Sequence, residues 1–200
     1  MGTAHAGELY AGIGLPGVML GFAQPLSPSA TLRADFSTLG TYSKSKFEQG
    51  INYSATLKTN RIGLFGDWFI GQSSFRLTGG LTANDFKADL TGGGTGSSIT
   101  IGDTTYAFTN GDRFDVQIKF PRTTPYLGIG WGHQQAEKGW GFNADIGASI
   151  GKATVTSTVS GQLATAVSQT DIDAELAQIR DGVGKVKFLP QLSVGLSYRF

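Results

Sequence analysis

The sequence predicts an all-β chain, an eight-stranded antiparallel transmembrane β-barrel with long extracellular loops and one short loop helix, in a single domain over residues 1–200. Three observations lead there. In the last stretch, residues 186–200, Tyr198, Leu196, Val194, Leu192, Phe188 and Val186 alternate with residues that are mostly polar or very small, Arg199, Ser197, Gly195, Ser193, Gln191 and Lys187. Alternation with period two gives a strand one apolar and one polar face, and a strand that ends on the aromatic Phe200 suits a lipid exterior better than water. Mean hydropathy is near neutral at -0.06, and no apolar run approaches the ~20 residues a transmembrane helix requires. Lastly, seven further segments alternate in the same way, joined by connections that are short and long in turn.

The first strand, residues 8–15, carries Leu9, Ala11, Ile13 and Leu15 on one face. Pro16-Gly17 forms a tight turn, and Val18, Leu20 and Phe22 form the second strand. Residues 24–29 contain Pro25 and Pro28 and read as a turn, because proline breaks a ladder. The third strand, residues 31–42, sets Leu32, Ala34 and Phe36 outward and Arg33 and Asp35 inward, before a polar loop at 43–49.

The fourth strand, residues 51–70, has apolar residues at odd positions first (Ile51, Tyr53, Ala55, Leu57) and at even ones later (Ile62, Leu64, Trp68, Ile70). That change of parity predicts a bulge near residues 58–61. After a turn at 71–74, the fifth strand, from Phe75 to about Asp85, places Arg76, Thr78 and Thr82 inward.

Residues 87–123 read as a long loop containing a small hairpin around Ile99 and Tyr106. The sixth strand, 126–132, turns Leu127, Ile129 and Trp131 outward. A turn at 136–139 leads to the seventh, where Trp140, Phe142, Ala144, Ile146, Ala148 and Ile150 alternate with Asn143, Asp145 and Ser149. In the loop at 160–184, Thr170 and Asp173 have capping-box spacing. Ile172, Leu176 and Ile179 form the stripe of one helix, and Gly182 marks its end. The eighth strand closes the chain. Trp68, Trp140, Phe75, Tyr198 and Phe200 all fall beside the short turns, where an interfacial aromatic girdle belongs.

Composition excludes several classes. With no cysteine, there is neither a disulfide framework nor a thiolate metal site. A net charge of +1 does not suit binding driven by phosphate neutralisation, so no nucleic-acid partner is expected. The two histidines, His5 and His133, have no carboxylate partner in register and read as surface residues. No nucleophile–base pair can be assembled, so no enzyme activity, catalytic residue, metal or cofactor is predicted. Residues 92–96, Gly-Gly-Gly-Thr-Gly, lack the lysine and the strand-to-helix context of a phosphate loop. The start, Met1-Gly2 with small and polar residues after it, reads as a mature chain with an added start codon and without a secretory signal, residues 1–7 forming an N-terminal tail.

Alternation directs Glu8, Arg33, Asp35, Asp67, Arg76, Asp145 and Arg199 into the lumen. An eight-stranded barrel is only wide enough for its own side chains, so these charges must pair; Glu8 and Arg199, at the same end of the two closing strands, are expected to interact. Two outcomes stay open, a gated polar conduit or a salt-bridged plug. Asp89, Asp103, Asp112 and Asp115 are candidates for attracting cationic solutes at the long loop, against the plainer reading of a solvated surface. The helix stripe reads either as a lid over the barrel mouth or as packing against the neighbouring loop. Val194, Leu196, Tyr198 and Phe200 form a candidate signal for the barrel-assembly machinery.

Three segments carry a resemblance: Pro125-Tyr126-Leu127-Gly128-Ile129-Gly130, the hairpin around Ile99 and Tyr106, and the segment from Asp173 through Glu175 and Ile179-Arg180 ahead of Phe188-Leu189-Pro190. They resemble the CarO-type family of small outer-membrane barrels over roughly the C-terminal half of the chain. The chain is expected to be a monomer in a bacterial outer membrane, in contact with lipid and lipopolysaccharide, and to mediate slow or gated passage of small polar solutes. The resemblance implies uptake of small solutes such as basic amino acids, and a link to carbapenem susceptibility. The alternative is a non-conducting structural or adhesive barrel whose loops bind partners or lipopolysaccharide.

Overall fold

The computed structural model describes residues 7–200 except 49–50, 72, 95, 97, 108, 110, 134–137 and 184–186. His5 and part of the predicted 136–139 turn lie outside them. Along the chain come β1 (Glu8–Leu15), β2 (Gly17–Ser27), β3 (Ala30–Glu48), β4 (Ile51–Phe69), β5 (Phe75–Gly94), β6 (Ser98–Ile101), β7 (Thr104–Ala107), β8 (Arg113–Lys119), β9 (Thr123–Trp131), β10 (Gly139–Ile150), β11 (Thr154–Ser160), α1 (Leu163–Ala166), α2 (Gln169–Val183) and β12 (Phe188–Arg199).

Eight strands close into a ring in the order β5-β4-β3-β2-β1-β12-β10-β9, and the pairing of β5 with β9 completes it. Every pairing is antiparallel, and the terminal strand seats where its alternation requires, Leu9 opposite Tyr198 and Ile13 opposite Val194. Leu20, Ile62, Leu64, Ile146 and Leu196 stand exposed on the outside, while Arg33, Asp67, Arg76, Asn143 and Ser193 are buried within. This inverts the distribution of a soluble protein and matches a barrel with hydrocarbon outside and a polar interior. Trp68 and Trp140 are exposed at the short-turn end, where Trp140 packs edge-on against Tyr198 at 5.2 Å.

The ring is not of even height. β3, β4 and β5 have 19, 19 and 20 residues against 8 in β1, and they rise beyond it at the long-connection end. There β5 changes partner: Phe75–Ala83 pair with β9, whereas Lys87–Gly93 pair with β8. With β11 on the far edge of β8, a second sheet, β3-β4-β5-β8-β11, stands above the ring. On one face of it Ile51, Phe114, Val116 and Val155 pack with Ile101 of the β6–β7 hairpin and Leu163, Val167 and Leu176 of the helical segment. Each such side chain, once buried, contributes about 1.5–3 kcal/mol.

Several expectations need correction. The parity change in β4 involves no bulge there, since β4 pairs with β5 in one unbroken register from Ile51↔Gly94 to Phe69↔Arg76. Odd residues face inward throughout. Low in the strand they meet the lumen, and higher up Ile51 meets the apolar second core, so the solvent changes rather than the strand. The register shift lies instead in β3, between Thr38 and Gly40.

Residues 43–48 belong to β3, and residues 87–94 and 113–119, placed in a loop by sequence, are strand. β2 continues through Pro25, opposite Thr31, with a shift between Pro25 and Ser27, an irregularity at which proline is tolerated. The α2 cap is Ser168 rather than Thr170: Ser168 Oγ accepts from the backbone N–H of Asp171 at 3.1 Å and donates to its carboxylate at 2.7 Å. Gly182 lies inside the helix.

Candidate functional site

Four ring strands each send one charged side chain to the same level of the lumen: Arg33 from β3, Asp67 from β4, Arg76 from β5 and Asp145 from β10. They form a closed circuit of alternating sign. Arg33 meets Asp67 at 2.5 Å, Asp67 meets Arg76 at 3.3 Å, Arg76 meets Asp145 at 2.5 Å, and Asp145 meets Arg33 at 3.2 Å. Arg33 grips Asp67 with two nitrogens, the second donating at 3.2 Å, the fork geometry that only arginine offers.

Thr78 Oγ1 donates to Asp67 at 2.7 Å, and Arg76 Nη1 to the carbonyl of Gly132 at 3.1 Å. Arg76 is wholly buried. The space it occupies exists because β9 has glycine opposite: a Cβ on Gly130 would lie 2.6 Å from the Arg76 guanidinium carbon. Two cations and two anions at one level leave no net charge, which is how ions are retained in so dry a place.

A further pair lies beside the circuit. Arg61 meets Asp35 at 2.6 Å and also donates to Gln191, and Tyr10 Oη donates to Asp35 at 3.2 Å. Arg33 and Arg61 both lie over the ring of Phe65, at 5.3 and 5.4 Å from its centre, and Phe65 meets Tyr126 edge-on. A layer of uncharged groups follows, in which Thr82 bonds Thr124 at 2.8 Å and Ser149 at 2.9 Å, and Gln191 donates to Ser149 at 2.7 Å. The cavity bordered by Arg33, Asp35, Arg61, Tyr126, Asp145 and Gln191 has a volume of about 10 Å³. That is room for about one water.

Of the seven lumen charges expected from sequence, Arg33, Asp35, Asp67, Arg76 and Asp145 are brought together. Arg61 was missed because the supposed bulge at 58–61 obscured its parity, although it shares odd numbering with Asp67. Glu8 stands opposite Arg199 in register and interacts with its charge, as expected, and its carboxylate also lies 2.6 Å from His133 Nδ1, in a separate network at the short-turn end. His133 is therefore not a surface residue. It is 1 % exposed, in left-handed backbone at φ 66, and edge-on to Tyr10 at 4.6 Å. No short-range sequence signal links residues 125 positions apart.

The loop aspartates do not converge on one site. Asp89 and Asp115 lie on strands, the first accepting from Gln117 at 2.7 Å and paired with Lys87 at 3.0 Å, the second accepting from Thr91 at 2.6 Å. Asp103 sits in the turn between β6 and β7. Asp112 is an internal brace, accepting from the backbone N–H of Leu163 at 2.9 Å and from both the N–H and Oγ1 of Thr109 at 2.7 Å. Those bonds hold its carboxyl below the usual carboxylate range. Asp171, at the start of α2, is likewise lowered, first by the bond from Tyr106 and then by Ser168. The α2 stripe packs toward β11 and β6, so of the two readings left open it takes the packing role.

Fold and interior together define a small closed β-barrel, apolar outside, ion-paired inside, with a structured platform at one end. Among solved structures, the chain is similar to CarO of Acinetobacter baumannii, with a TM-score of 0.59 at 20% identity over 98% of this chain and 97% of that one. It is also similar to CarO2 of Acinetobacter baumannii, with a TM-score of 0.62 at 20% identity over the whole of both. These likenesses bear out the fold that the resemblance implied. No family model and no curated protein matches.

Proposed function

We propose that this chain is a bacterial outer-membrane β-barrel that does not conduct, and that its function is exercised by the platform above the ring, as a binding surface facing the cell exterior. The observation that carries this reading is the closed Arg33–Asp67–Arg76–Asp145 circuit. Passage of a small polar solute, a basic amino acid included, would require several buried charge contacts to part together, and breaking a buried pair costs about 3–5 kcal/mol. The apolar exterior and the exposed aromatics at the short-turn end favour a membrane setting. Val194, Leu196 and Tyr198 on the closing strand, with Phe200 just past its end, serve assembly and lipid contact in this reading. The test is entry of lysine, glycine and glutamate into liposomes carrying the refolded protein. Entry at the rate of empty liposomes is expected, and selective entry of lysine would restore the uptake reading.

A further inference from the structure

The network at the short-turn end lies below the charge circuit and forms no part of it. His133 belongs to the connection after β9, yet its ring is turned into the barrel and buried, with Nδ1 donating to the Glu8 carboxylate at 2.6 Å. The other ring nitrogen, Nε2, is buried without a hydrogen-bond partner among the described residues. Two successive residues here have left-handed backbone, Gly132 at φ 94 and His133 at φ 66. Glycine adopts that conformation freely, whereas for histidine it is strained and persists only where contacts enforce it. Gly132 is tied to the ring through both backbone groups, its N–H donating to the Ser74 carbonyl at 3.0 Å and its carbonyl accepting from Arg76 at 3.1 Å.

This arrangement suits a neutral imidazole and not a charged one. A proton added at Nε2 would put a donor without an acceptor, and a positive charge, where water does not reach. Glu8 of β1 favours that charge, although Arg199 of β12 also acts on Glu8, while Arg33 of β3 and Arg76 of β5 oppose it. Tyr10 of β1 stands edge-on to the ring, and Asp67 of β4 and Asp145 of β10 are engaged by the two arginines. Burial first, and then the two arginines, hold His133 below the ordinary histidine range against the pull of Glu8. We propose that the Glu8–His133 contact is a proton-released latch: on acidification the protonated ring swings out to water, its backbone relaxes, and the short-turn end of the lumen hydrates beneath the closed circuit. The ring is more basic outside than inside, so release gains about tenfold for each pH unit below about 6.5, down to the folded value. The proposal rests on the closed-lumen reading, in which the circuit and not the latch is the seal.

The experiment is nitrogen-15 NMR of the full chain in neutral-lipid nanodiscs, with His5→Ala so that His133 is the only histidine. At pH 7.5 a single neutral ring is expected, protonated at Nδ1 and protected from exchange with water. Between pH 6.5 and 5 a doubly protonated ring in exchange with water should replace it. A ring that stays neutral down to pH 5, or that gains its proton while still protected, would overturn the latch. His133→Asn tolerates left-handed backbone and has nothing to titrate. It should lack the fall in urea midpoint that the native barrel shows between pH 7.5 and 5.5, and an equal fall in both would also overturn the proposal. Liposome entry at neutral pH reads the circuit alone, so failure of the latch and failure of the non-conducting reading are separately visible.

Discussion

The lower ring and the upper platform are built in part from the same three strands, yet their interiors are opposites. In the ring, inward positions of β3, β4 and β5 hold Arg33, Asp67, Arg76 and Thr78. Above it, inward positions of β4 and of the adjoining β8 hold Ile51, Phe114 and Val116. Strand geometry is continuous through the change, as the unbroken β4–β5 register demonstrates. What differs is the surroundings. Where the outside is hydrocarbon, burial of the outward face supplies the apolar term, and the narrow interior is filled with groups that satisfy one another. Where the outside is water, the apolar term must come from within, and the hairpin and helices supply the facing layer. A strand's buried face is thus set by its local solvent.

The sharpest way to break this comparison is to unbalance the ring. Asp145 serves both Arg33 and Arg76, so Asp145→Leu leaves two buried guanidiniums on Asp67 alone. We expect a loss of about 3–5 kcal/mol, read as a lower urea midpoint for the folded barrel in lipid. A loss under about 1 kcal/mol would mean the circuit is not what holds the interior.

The complementary change is Leu163→Ala in the platform, at a residue 2 % exposed. It should cost about 2–5 kcal/mol but spend it locally, with faster proteolysis within 160–183 and no shift in the barrel midpoint. A common shift of both signals would merge the two regions into one cooperative unit.

Smaller effects sharpen the boundary. Ser168→Ala removes the cap of α2 and should cost about 1 kcal/mol, seen as faster amide exchange in the first turn of that helix. Thr170→Ala should leave the same amides unchanged. Asp112 and Asp171 both have lowered pKa values, so their contribution is present above the ordinary carboxylate range and is lost as pH falls through their folded values. Acidification should therefore loosen the platform, as followed by exchange at Leu163 and Ile172, and Asp112→Asn should flatten part of that dependence.

Much of the ring was legible in the sequence, because period-two alternation survives wherever one face meets lipid: β1, β10 and β12 follow their apolar residues closely. The platform was less legible for the same physical reason. β8 (RFDVQIK) and β11 (TVTSTVS) are short and half-covered, and their partners come from distant segments, so glycine-rich and polar neighbours made them read as loop. The site divided likewise. Charges on strongly alternating strands, Arg33, Asp67 and Asp145, were placed in the lumen from parity alone. Arg61 was not, because apolar residues above it belong to the other interior and disguised its parity. The pairing of Glu8 with His133 depends on ring closure, which local pattern does not encode.

The central claim is that the lumen is closed by its own charges. Planar-bilayer recording tests it most directly, comparing the native chain with a variant in which Arg33, Asp67, Arg76 and Asp145 are all serine. Silence from the native protein under conditions where the refolded variant conducts is the predicted result. Native conductance equal to the variant's would contradict it.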